Sequence, residues 1–95
     1  MALEFEWEPA KAAANPGKHE GVTFEEASTV FADPLSLSVA DPRHSRGEPR
    51  FAILGRSARG RLLVVVHTDR GARTRLISAR PATRRERGTY EHGTF

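Results

Sequence analysis

The chain has 95 residues, 38% of them apolar and 28% charged, a formal net charge of +3 and no cysteine. That length suits one domain over residues 1–95 with a modest core, and the mixed composition excludes a chain disordered throughout. It has no apolar run near the ~20 residues of a membrane span, no disulfide framework, no thiolate zinc site and no cysteine nucleophile. The acidic start MALEFEWEPAK stands where a secretory signal would be basic and then apolar, so the expected location is cytoplasmic, with no membrane partner.

Charge is unevenly spread. Residues 1–31 hold two lysines against six glutamates, a net of −4, whereas residues 32–95 hold thirteen basic residues, all arginine, against six acids, a net of +7. Arginine's planar fork grips phosphate in a bidentate way. A solvated arginine-rich surface is the plain alternative.

In chain order, LEFEW (residues 3–7) alternates with period two and predicts a half-buried strand with Leu3, Phe5 and Trp7 on one face. Pro9 suits a first helical position, AKAAAN is alanine-rich, and Asn15-Pro16-Gly17 predicts the stop. Thr23 and Glu26 form a capping-box pattern opening a helix from Phe24 to about Phe31, with Val22 and Ala27 as a hydrophobic staple. LSLSV (35–39) predicts a strand, Ala40-Asp41-Pro42 a turn and RHSRGEP (43–49) an exposed loop. Phe51 to Leu54 predicts a strand, with Gly55 a bulge or tight approach, and Ala58-Arg59-Gly60 a hairpin turn. RLLVVVHT (61–68) has an unbroken apolar middle and predicts a central strand covered on both faces, Leu62, Val64 and Val66 on one and Arg61, Leu63, Val65 and His67 on the other. RTRLISA (73–79) returns after a turn at Asp69-Arg70-Gly71, and Thr83 with Glu86 repeats the capping-box spacing before a charged helix, TRRERGTYEH. Helices at the start and end of a strand meander predict an α+β fold with an antiparallel sheet.

The sequence contains neither a glycine-rich phosphate loop nor a nucleophile elbow, and the histidines at 19, 44, 67 and 92 lack metal-ligand spacing, so no metal and no cofactor is expected. Glu25 and Glu26 are adjacent on a helix and face different ways, which disfavours paired-carboxylate chemistry. What remains is general acid–base and electrostatic catalysis on a phosphodiester. Cleavage of RNA through its own 2′-hydroxyl needs a proton acceptor, a cation at the non-bridging oxygens and a proton donor for the leaving 5′-oxygen. Lys18-His19 and the arginines at 56, 61 and 80 could fill those roles. Lys18 and His19 read equally as surface residues, and His67 either borders the site or caps an apolar face. Trp7 reads as core, with one edge available for stacking on a base.

EFEWEPAKAAAN, KH, GVTFEEASTVFADPLSL, GEPRFAILGRSARGRLLVVVHT and RTRLISARPATRRERGTYE together resemble the BrnT family, toxins of the BrnT/BrnA toxin–antitoxin system, from about residue 3 to residue 91. The order of the blocks carries the resemblance, above all W-x-x-x-K-A, F-E-E-A and I-S-A-R-x-A-x-x-x-E-R. It implies a RelE-like fold, with N-terminal helices on a curved antiparallel sheet and a C-terminal helix. It also implies a ribonuclease that halts growth and is neutralised by a BrnA-type antitoxin, operator DNA being reached only through that antitoxin. A non-catalytic module of the same fold, binding nucleic acid or a partner, is the alternative. By position the family's K-H falls on Lys18 and His19, its G-R on Arg56, and its S-A-R and E-R on Arg80, Glu86 and Arg87. The expected catalytic set is thus Lys18, His19, Arg56 and Arg80, with RNA contacts from Arg61, His67, Glu86 and Arg87. The family's K-H-G-V is interrupted here by Glu20, which lengthens the junction.

Overall fold

The computed structural model describes residues 3–41 and 47–94, so most of the expected loop at 43–49, His44 included, lies outside the described residues. Among the described residues the order is β1 (Glu4–Glu6), α1 (Pro9–Lys18), α2 (Phe24–Ser28), a 3-10 turn (Thr29–Ala32), β2 (Leu37–Ala40), β3 (Phe51–Arg56), β4 (Leu62–Arg70), β5 (Arg73–Pro81) and α3 (Arg84–His92). The class is α+β, as expected. The sheet runs β1-β5-β4-β3-β2 and is mixed rather than antiparallel throughout. Hairpins and short connections make β2 to β5 antiparallel neighbours, whereas β1 pairs in parallel with β5 at Arg73–Arg75. No hairpin joins those two strands, so nothing local imposes an antiparallel direction. The packing of Phe5 on Phe31 and of Trp7 on Phe24 anchors the first strand instead.

The apolar run of β4 does occupy the centre. Leu63 and Val65, with Ile53, Leu76 and Ala79 of its neighbours, form the face covered by Val22, Phe24, Ala27 and Val30. Each such fully buried large side chain stabilises the fold by about 1.5–3 kcal/mol. Leu62, Val64 and Leu54 form the opposite face, covered at one end by Ala82 and by Tyr90 of α3. Gly55 proves to be a tight approach, not a bulge: it pairs regularly with Leu63, and a Cβ there would stand 3.0 Å from Val30 and from Ser36. The irregularity lies in β5, where Val66 pairs with Ser78 but His67 pairs with Leu76, so Ile77 is the extra residue.

Two expectations are corrected at the helices. α1 continues through Asn15 and Pro16 to Lys18, because the Asn15 side chain is tied to residues beyond the helix and holds the last turn in place. The Thr23 hydroxyl caps α2 by accepting from the Glu26 N–H at 3.0 Å, but the Glu26 carboxylate accepts from Arg61 and Ser57 rather than from the cap, and the helix tightens to 3-10 geometry after Ser28. The second capping box is complete: the Glu86 N–H donates to the Thr83 hydroxyl at 3.2 Å and the Thr83 N–H donates to Glu86 Oε1 at 2.8 Å.

Candidate active site

β1 covers only the first residues of β5, so the outer edge of β5 beyond Arg75 is open to α1. Asn15 closes it as a strand would. Its Oδ1 accepts from the Ala79 N–H at 3.2 Å, and its Nδ2 donates to the carbonyls of Ala79 at 2.9 Å and Val22 at 2.8 Å. One buried amide thus fixes the C-terminal end of α1 beside the strand residue that precedes Arg80. The connection after α1 then takes two left-handed residues in succession, Glu20 at φ 55° and Gly21 at φ 77°. The second suits glycine; the first places the inserted glutamate in a conformation that L-residues adopt sparingly. Arg61 secures this connection by donating to the carbonyls of Glu20 at 3.1 Å and Gly21 at 3.4 Å, while its Nε and Nη2 donate to the Glu26 carboxylate. Bonding from Arg61, against the cost of burial and aided by Ser57, holds the Glu26 carboxyl below its ordinary range.

This arrangement brings His19 around the sheet edge to the face that α3 leaves open. There a groove of about 470 Å³ has an apolar floor of Ala52, Leu54, Val64 and Val66, with His19, Ser78, Arg80 and Glu86 on one side and Val39, Asp41 and Arg50 on the other. Arg80 donates to both oxygens of Glu86 at 2.8 Å each. The Arg80 guanidinium, against burial and with help from the Thr83 N–H, holds the Glu86 carboxyl at about 2, so it remains an anion and orients the arginine. A guanidinium has five N–H donors, and this pairing leaves some of them for a phosphate oxygen. Among the lining residues His19 is the one imidazole.

The remaining expected residues are dispersed. Lys18 ends α1 and lines a neighbouring depression rather than the groove. Arg56 lies over the Tyr90 ring at 5.5 Å, and Tyr90 in turn donates to Asp33 at 2.6 Å. Burial works to raise the Asp33 carboxyl, but the Arg56 N–H and the Tyr90 hydroxyl outweigh it and hold it low. Arg87 is exposed on α3 and does not line the groove. Arg61 and His67 belong to the helix-covered face: Arg61 is engaged with Glu26, and His67 is 8% exposed between Phe31 and Phe51, with neither ring nitrogen hydrogen-bonded. Burial pushes the His67 pKa down, against a small opposing pull from Asp69. Sequence reasoning missed Asn15 as a clip and Ser78, Asp41 and Arg50 as lining. The signal for Ser78 was its parity with Arg80 in I-S-A-R, on the face that β4 presents with Leu62, Val64 and Val66. Among the described residues no group of three or more His, Asp or Glu side chains is placed to hold a metal ion.

The α+β domain thus carries on its open sheet face an apolar-floored groove whose polar rim sets Arg50, Arg80 and His19 beside Asp41 and Glu86. Residues 7–86 match the profile of the family described as "Ribonuclease toxin, BrnT, of type II toxin-antitoxin system", and the chain belongs to that family. The crystal structure of the Brucella abortus ribonuclease toxin BrnT is similar in fold, with a TM-score of 0.62 at 17% sequence identity over 87% of this chain and 100% of that one. A search of curated protein sequences found no match.

Proposed function

We propose that this chain is a metal-independent endoribonuclease whose cleavage centre is the open-face groove, in a variation on the RelE-like fold. The observation that carries the reading is the convergence of His19 with the Arg80–Glu86 pair over an apolar floor. A base rests on Ala52, Leu54, Val64 and Val66, and the phosphate faces Arg80. The 2′-oxygen attacks phosphorus as its proton is taken up. The bond from phosphorus to the 5′-oxygen breaks as that oxygen receives a proton, leaving a 2′,3′-cyclic phosphate and a 5′-hydroxyl. His19 serves one of these proton transfers, and Arg80 neutralises charge building on the non-bridging oxygens. Glu86, an anion committed to Arg80, is a positioning residue and a weak proton acceptor. Lys18 adds positive charge next to His19, and Arg56 acts through the Tyr90–Asp33 contact that seats α3.

In the cell this activity halts growth, in the cytoplasm, and a BrnA-type antitoxin neutralises it; operator DNA is contacted through the antitoxin. No helix among the described residues is long and apolar enough to cross a membrane. Induced expression in a bacterial host, with and without the neighbouring antitoxin gene, is expected to arrest growth and degrade total RNA only when the antitoxin is missing. Growth arrest with intact RNA would contradict the reading.

A further inference from the structure

Residues 1–31 hold two cations in an otherwise acidic segment, Lys11 and Lys18, and both line one depression of about 300 Å³ between α1 and β5. His19 and Ser78 line that depression and also the groove, so the two spaces share a wall. Lys11 and Lys18 stand seven residues apart on α1, about two helical turns and so on the same side. Ala10 and Ala14 keep the space between them open, and the Asn15 amide is turned into the sheet. Among the described residues the Lys18 side chain has no hydrogen-bond or ion-pair partner. Lys11 has one, Glu8 at 3.9 Å, with both side chains about half exposed. Such a solvent-exposed pair is weak and yields readily to a phosphate.

We infer that this depression is a second RNA subsite, in which Lys11 and Lys18 hold the backbone phosphate of a nucleotide next to the one in the groove. The inference rests on the ribonuclease reading of the groove. A single strand leaving the groove past His19 and Ser78 meets the two ammonium groups directly. They act as point charges that follow the backbone without reading bases, so the subsite adds affinity for length and not for sequence. The bulge at Ile77 lies against this depression and is where β5 departs from regular pairing.

The test measures binding of two non-cleavable 2′-O-methyl RNAs, a dinucleotide and a mixed-sequence dodecamer, to the full chain over a range of salt, with cleavage of unmodified RNA by the parent followed alongside. Parent, Lys11→Ala, the double variant Lys11→Ala/Lys18→Ala and, as a charge control, Arg59→Ala are compared. Arg59 is exposed in the β3–β4 turn. The parent binds the dodecamer more tightly than the dinucleotide. Lys11→Ala weakens dodecamer binding about tenfold, the loss of one charge-assisted contact, and lowers the salt slope by roughly 0.7; the double variant loses more on both counts. Dodecamer binding by Lys11→Ala within twofold of the parent, or an equal loss in Arg59→Ala, overturns the subsite. A parent that cleaves RNA while Lys11→Ala keeps full affinity overturns the subsite alone. A parent that neither cleaves RNA nor binds the dodecamer overturns the ribonuclease reading with it.

Discussion

Replacing Asn15 by alanine removes the donor that serves the Val22 and Ala79 carbonyls and the acceptor that serves the Ala79 N–H, all in a buried setting. Unpaired buried backbone groups cost about 1–3 kcal/mol. Asn15→Ala is therefore expected to lower the thermal midpoint by several degrees, at about 4–8 °C per kcal/mol for a domain of this size. Because the same amide ties the end of α1, and with it the groove-lining His19, to β5, cleavage at a temperature where the variant is folded is expected to fall as well. An unchanged midpoint in a thermal melt would remove Asn15 from this role. His67 makes the opposite kind of prediction. Its two ring nitrogens are buried without partners and burial pushes its pKa below the ordinary 6.5. The unfolded chain therefore binds the proton more readily, and stability present above pH 6.5 is lost as pH falls from there through the folded-state pKa. Denaturant midpoints between pH 7 and pH 5 should decline in the parent and stay flatter in His67→Leu. Glu86 extends the loss at lower pH, since its carboxyl is held at about 2 against an ordinary 4.5 and its pairing with Arg80 disappears as pH falls between those values.

β4 is the element that the sequence describes best and the site least. Its run LLVVV announces a central strand covered on both faces; it does lie at the centre, with helices over one face, but the other is covered only at one end and Val64 and Val66 floor the groove. The same alternation makes Arg61 and His67 look like a polar stripe bordering a site, yet that stripe lies beneath the helices. To the groove β4 contributes only the apolar Val64 and Val66. Polar character on β4 therefore pointed away from the groove, because it came from an ion pair with Glu26 and an imidazole enclosed by Phe31 and Phe51. The end of α1 misled for a related reason: Asn15-Pro16-Gly17 is a local stop signal, and a tertiary anchor overrides it. Both α3 and its capping box were legible because the Thr83–Glu86 spacing is local. Arg61→Ala leaves Glu26, whose side chain is 5% exposed, without its main partner. Losing one member of a buried pair costs about 3–5 kcal/mol. Ser57 and Arg59 retain part of the satisfaction, so the measured loss in a denaturant titration is expected at or below the lower end of that range. A loss under 0.5 kcal/mol would mean that the pair does not hold the α2–hairpin connection.

At the scale of the whole molecule, the chain divides into an acidic first third and an arginine-rich remainder, net −4 and +7, around one groove. A partner that silences an arginine-rich segment does so most directly with carboxylates, and opposite charges quicken association. Antitoxin binding is accordingly expected to weaken between low and physiological ionic strength, chiefly through a slower association rate in surface plasmon resonance; salt-independent rates would remove charge as the basis of pairing. In the proposed mechanism the groove lined by His19, Arg80 and Glu86 cleaves RNA by proton transfer and charge neutralisation alone. The most direct measurement is single-turnover cleavage of RNA by the purified chain in EDTA, with the fragment termini determined and His19→Ala run beside the parent at matched thermal midpoint. Fragments ending in a 2′,3′-cyclic phosphate and a 5′-hydroxyl are expected, with a rate about 10²-fold lower or more in His19→Ala. Cleavage abolished by EDTA and restored by magnesium, or a His19→Ala protein cleaving at the parent rate, would contradict this mechanism.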